Sequence, residues 1–312
     1  MVSDTPRGAQ RDSWRRASAA WHRKSYHAEP LRSDPSSGFS TTVGEPAIPD
    51  VLRCARLCPM NNPVAKTKAD ELVDRAISLA EGAEPSEFAL AAIKRDALQE
   101  RGNSPTKAYM VLGMVAAMEW DTESLHEHHK KAIQFSNASW ARLNYAASLV
   151  RVGLLQEAAD EFFRASEQEP ENLSGLMGAI FTATVAGLFQ RAKDATATFL
   201  QRGGKMDSLI EKMGASAESI SGMLANLGVS DAEYIRTQEL AFAVLRENKT
   251  RYNFIHTTIG HDPDDNNVYV QIGVFANSSK VIDLECELAV RLSDALPDWH
   301  ADKLIFAFIP LQ

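Results

Sequence analysis

Apolar residues recur at helical spacing from Lys66 to about Asn248, and at a spacing of two beyond it. Ala69, Leu72, Val73, Ala76, Ile77 and Leu79 mark a first helix. Gly82-Ala83-Glu84-Pro85-Ser86 interrupts the pattern, and Ser86 is placed to cap a second helix from Glu87 to about Arg101. Three pairs of helices are expected near 106–138, 139–172 and 173–205. Pro170 ends the middle pair, where its missing N–H costs least. Gly203-Gly204 stops the series, and short helices are expected at about 206–213 and 217–227. A longer helix from Asp231 to about Asn248 takes Ser230 as its N-cap. Alternation then takes over. Residues 252–258 and the run Val268, Val270, Ile272, Val274 predict a hairpin around a polar turn, His261 to Asn267. Ser278-Ser279 is expected to cap a helix reaching about Leu296. The continuous apolar run Leu304 to Ile309 predicts a strand buried on both faces and ended by Pro310.

The paired helices are self-similar. Aligning Leu112-Gly113 with Tyr145-Ala146 brings Ala132 onto Ala165 and Asn137 onto Pro170, a period of 33. Gly153 and Ala158 recur 34 positions on as Gly187 and Ala192. The third register is looser, because Gly178 can replace Ile180 at the small position of the first helix if the loop carries two extra residues. Self-similarity near this period, with small residues at fixed places in paired helices, marks a helical repeat array. On these residues the chain resembles the tetratricopeptide repeat (TPR) family, with about three repeats over 106–205.

That resemblance implies helical hairpins whose first helices line a concave groove. The family's groove positions map onto Lys107, Met110, Met114 and Ala117, then Trp140, Leu143, Ala147 and Val150, then Ser174, Met177, Phe181 and Thr184. Met110, Met114, Trp140, Leu143, Met177 and Phe181 are therefore the expected partner-binding residues. Apolar Met and aromatic anchors suit an apolar segment of another protein. Family members that clamp a C-terminal carboxylate use Lys, Arg and Asn there, and this chain has almost none. A groove filled by the helix at 231–248 or by the C-terminal sheet is the competing expectation.

The expected fold class is α+β, mostly α. It comprises a leader over 1–59, an N-terminal helical cap over 60–105, a TPR-like array with closing helices over 106–228, and a small α-β-β-α-β domain over 229–312. The last has the element order of a ferredoxin-like fold without its first strand, which implies no function. The leader holds Trp14, Trp21 and many Arg, Ser and Pro without apolar periodicity. Arg15-Arg16 lacks the apolar segment of an export signal, and Asp4, Asp12, Glu29 and Asp34 argue against a transit peptide. The leader reads as a disordered tail or an over-extended frame preceding a natural start at Met60. Removing its nine basic and six acidic residues takes the net charge from −8 to −11.

Charge and candidate chemistry narrow the function. An acidic balance argues against a dedicated nucleic-acid binder and favours a basic protein client by steering. No apolar run approaches the roughly 18 residues that cross a bilayer. Three cysteines, Cys54, Cys58 and Cys286, are too few for a disulfide scaffold and point to a reducing, cytoplasmic setting. The run His126-Glu127-His128-His129 is the most tempting site. His126 and His129 share a helical face with Glu123, enough for two or three metal ligands. It is not HExxH, it has no partner motif, and the second helix of a repeat is expected to face solvent. Asp262, Asp264 and Asn266 have the spacing of calcium-loop ligands, but Asn267 and Gly273 stand where such a loop needs Gly and Glu. No cofactor is expected, and no nucleophile or phosphate loop is recognisable.

The expected function is protein–protein binding in a bacterial cytoplasm, as an adaptor, chaperone or neutralising partner. Small three-repeat arrays resemble secretion chaperones that hold an apolar client segment. The alternatives are a metal-dependent sensor or enzyme built on His126, His128 and His129, and a self-assembling structural protein, with the oligomeric state open.

Overall fold

The computed structural model describes residues 66–82, 85–205, 208–262, 267–296 and 299–311, without the side chains of 208–216, 254–256, 258 and 260–262. The leader, with Cys54, Cys58 and Met60, and the turn residues Asp264 and Asn266 lie outside it. The chain divides into two compact units, one of them Ile48–Ala217 and the other containing Glu218–Gln312.

Among the described residues of the first unit, eight helices follow one another as hairpins: α1 (Lys68–Glu81), α2 (Glu87–Glu100), α3 (Pro105–Glu119), α4 (Thr122–Phe135), α5 (Ser139–Arg151), α6 (Leu155–Gln168), α7 (Ser174–Val185) and α8 (Phe189–Gln201). The architecture is a helical array, as expected of a repeat. Local chemistry sets the starts. Thr67 and Asp70 form a reciprocal capping box, Ser86 accepts from the Ala89 N–H, and Asp121 accepts from the Ser124 N–H. Pro105 occupies the first turn of α3, where a missing donor is harmless.

The repeat is clearest at the turns inside the hairpins. Asp121, Leu154 and Leu188 each donate their N–H to the carbonyl five residues back, on Ala116, Leu149 and Ala183. These bonds are 33 and 34 residues apart and close each first helix the same way. The residue before each donor sits in the left-handed region: Trp120 at φ 62°, Gly153 at 75° and Gly187 at 78°. Two hairpins meet that demand with glycine. The first forces a tryptophan into it, a strain of roughly 1–2 kcal/mol.

Between hairpins the array is not uniform. α1, α3 and α5 pack side by side, whereas α7 lies chiefly against α6. Glycines explain the change. A Cβ on Gly178 would stand 2.4 Å from the Phe162 ring, and one on Gly175 would stand 2.8 Å from the Ser166 nitrogen. Gly178, not Ile180, is thus the close-approach residue, and it faces the preceding hairpin. The two short helices expected near 206–227 are one helix, α9 (Ser208–Leu227), running through Gly214. A single helical glycine costs only about 1 kcal/mol and does not force a break.

In the second unit α10 (Asp231–Glu247) is capped by Ser230, as expected. Strands β1 (Tyr252–Asp262) and β2 (Asn267–Val274) pair antiparallel, α11 (Ser278–Ala295) crosses over, and β3 (Leu304–Pro310) pairs parallel with β2. The strand order is β1-β2-β3. The likeness to a ferredoxin-like fold is therefore confined to element order, because the crossover joins neighbouring strands and leaves no slot between them. The α11 cap is Asn277, one residue earlier than expected, because its side chain reaches the Lys280 N–H. Val268, Val270, Ile272 and Val274 are buried, as the alternation predicts. β3 is buried unevenly on its two faces: Leu304, Phe306 and Phe308 are buried on one, while on the other Ala307 is buried and Ile305 and Ile309 are half-buried. Tyr234 of α10 packs edge-on against Phe306 at 5.5 Å.

Candidate functional site

The first helices carry the six expected groove residues. Met110, Met114, Leu143 and Phe181 are buried, and Trp140 and Met177 are half-buried. Burial continues around these helices. Every residue of α3 from Met110 to Met118 is buried, and so is every residue of α7 from Gly178 to Val185. A helix apolar on all sides is covered on all sides. Met114 belongs to a cluster with Leu72, Ile77, Ile93 and Val115, whereas Met177 packs against a separate cluster of Leu176, Ile180, Ala195 and Phe199. Lys107, at a family groove position, donates to Asp70 at 2.5 Å and ties α3 to α1. That bond, with Thr67 assisting, holds the Asp70 carboxyl down to about 2. Arg151 on α5 likewise donates to the Ala80 carbonyl of α1 at 2.9 Å.

The histidine run is placed differently from expectation. His129 is not on a solvated face but wholly buried. Gly113 makes the room: a Cβ there would lie 2.4 Å from the imidazole Cδ2. The ring stacks on Tyr145 with centroids 5.0 Å apart, and Nε2 lies 2.9 Å from Ser148 Oγ. Burial pushes its pKa down to about 3, with His128 and His126 adding to the effect. The ring is therefore neutral near pH 7. Nδ1 has no partner among the described residues. An idle lone pair costs less than an idle N–H, so Nε2 carries the proton and donates to Ser148. His126 meets the same tyrosine edge-on, with Nδ1 2.6 Å from the phenol oxygen and Nε2 3.9 Å from a Glu157 carboxylate oxygen. Burial, with Glu157 and Glu161 adding, raises the Tyr145 phenol to about 12. The phenol stays protonated and donates to Nδ1. His128 is half-buried on another side, 6.1 Å from the Tyr109 ring, and burial lowers its pKa. The three histidines thus do not converge, and the described residues contain no cluster of three or more His, Cys, Asp or Glu able to hold a metal.

Beside Tyr145, α4, α5 and α6 border an open pocket of about 480 Å³. A buried carboxylate is among its lining residues. Glu161 is 5% exposed and takes Arg142 Nη1 at 2.8 Å on one oxygen and Arg164 Nη1 on the other. Arg142 also donates Nη2 to Asn137, while its Nε is buried without a partner among the described residues. Asp160 pairs with Arg191 at 2.8 Å. The sequence reading missed this network, although a signal was present. Glu161 falls on the apolar stripe Ala158, Phe162, Ala165 of α6, and a carboxylate there must be paired to be buried.

Among the described residues no helix is long and apolar enough to cross a membrane. Compared with known protein families, with curated proteins and with solved structures, the chain finds no match in any of the three.

Proposed function

We propose that this protein is a TPR-like interaction module of the bacterial cytoplasm, an adaptor, chaperone or neutralising partner that holds an apolar segment of a client protein along its first helices. The observation that supports the reading is the array of helical hairpins whose internal turns recur at 33 and 34 residues, as copies of one unit would. Stacked copies of such a unit present extended surfaces that bind other macromolecules. Because the groove residues are covered in the free chain, binding is an exchange: client side chains replace those that the chain itself places there. Trp140 and Met177, still half-buried, are the points of first contact. The acidic balance steers a basic client toward the array.

The test uses the full chain with a photo-crosslinking amino acid at 140 or 177, and at exposed Glu123 as control, in lysate of the source organism. Adducts to one protein from 140 and 177 but not from 123 are expected. Equal labelling from all three positions, or none, overturns the reading.

A further inference from the structure

We propose that residues 11–24 of the leader dock on the exposed face of α11. Three observations carry this. The first is an apolar stripe open to solvent. Ile282, Cys286 and Val290 recur every four residues along α11, so they lie on one line of the helix. Ile282 is 58% exposed and Val290 38%, and the free Cys286 thiol is exposed. Leu284, Leu288 and Leu292 turn the other way and are buried.

Charge is the second observation. Asp283 stands beside Ile282, and Asp294 follows Val290 by four, so an exposed carboxylate closes each end of the stripe. Neither makes an ion pair among the described residues, whereas Glu287 is answered by Arg291. Glu218–Gln312 holds 14 acidic residues against 7 basic. Third, the leader carries the complement. Trp14 and Trp21 stand seven residues apart with Ala17 between them, the spacing of one helical face. Arg11, Arg15, Arg16, Arg23 and Lys24 surround them, with Asp12 the one acidic residue among 11–24. At helical rise the tryptophans are about 10 Å apart, against about 12 Å from Ile282 to Val290. Arg11 and the pair Arg23-Lys24 flank the tryptophans as Asp283 and Asp294 flank the stripe. The 41 residues 25–65 can span more than about 100 Å, so tether length does not limit docking.

Docking removes two indole rings and the stripe from water and brings five cations to an acidic surface. A second copy of α11 would match the stripe but would set Asp283 and Asp294 against like charge.

The reactivity of Cys286 reads the docking. In the full chain carrying Cys54→Ser/Cys58→Ser it is the remaining thiol, and mass spectrometry follows its alkylation by N-ethylmaleimide. Adding Trp14→Ser/Trp21→Ser should raise the rate about tenfold. About 1 M salt should bring the parent to the rate of that variant in the same salt, because the screening length falls to about 3 Å. None of the substituted residues belongs to a described element, so the fold stays as it is. Equal rates in parent and variant, or protection that salt leaves unchanged, overturn the proposal. So does protection that survives the tryptophan substitutions and grows with protein concentration, the mark of a second copy. None of these outcomes bears on client binding by the first helices, which the crosslinking experiment reads separately.

Discussion

The two junctions between hairpins solve one packing problem in opposite ways. His129 on α4 and Phe162 on α6 stand 33 residues apart, both buried, each the ring that its hairpin offers to the next. Each meets a residue on the following first helix, Tyr145 in one case and Gly178 in the other, again 33 apart. At the first junction a large ring meets a large ring, and the space comes from Gly113 within the same hairpin. At the second junction the tyrosine position is glycine, so the backbone of α7 closes directly on Phe162. The first solution keeps α5 beside α3; the second draws α7 onto α6. A close-packed interior conserves volume, and where the small residue sits decides which helix moves.

The largest test of the comparison is Phe162→Ala. It empties the second junction, where the facing glycine cannot fill the space, and should cost about 3–5 kcal/mol in chemical denaturation. His129→Ala should cost less, because Tyr145 can settle into the gap. Next come the glycines. Gly178→Ala and Gly113→Ala each press a methyl group into a ring and should cost about 1–3 kcal/mol. Adding His129→Ala should rescue Gly113→Ala but not Gly178→Ala, which a double-mutant cycle reads as coupling at one junction only.

pH separates the junctions further. The unfolded imidazole takes a proton near 6.5, and the buried one resists until about 3. The unfolded chain thus binds the extra proton over that window. Stability is full above pH 6.5 and falls as pH drops toward 3, by on the order of 5 kcal/mol from this residue. His129→Phe, which copies the second junction into the first, should flatten that part of the stability–pH curve. An unchanged curve would mean that His129 is not the group responsible. The smallest effect belongs to the half-exposed Arg191–Asp160 pair. Arg191→Gln should change stability by about 0.5 kcal/mol or less, because solvent screens the pair.

Much of this fold was legible because its cause is local. Ser86 and Ser230 announce helix starts through side-chain oxygens that reach a backbone N–H three residues on. Gly153 and Gly187 announce the turns because few other residues accept their backbone angles. Trp120 hides the equivalent turn for the same reason, since nothing in its chemistry advertises a left-handed residue. The strand β3 is legible, but not the partial exposure of Ile305 and Ile309 on its second face, because a run of apolar residues does not say which layers lie on each face. The candidate sites were read less well. His129 was expected on a solvated face and is buried, because the room for it comes from Gly113 across the hairpin, which no spacing announces.

The sequence by itself determined the helical period, the hairpin repeat near 33 residues and the switch to strands after Asn248. Those follow from spacing, caps and turn residues acting over a few positions. Only the tertiary structure decided that His129 is buried and neutral, that α7 leaves the line of first helices, and that Arg142, Arg164 and Glu161 meet around one pocket. Those depend on which small residue lies opposite which ring, and on charges 19 positions apart in the chain that burial forces to pair.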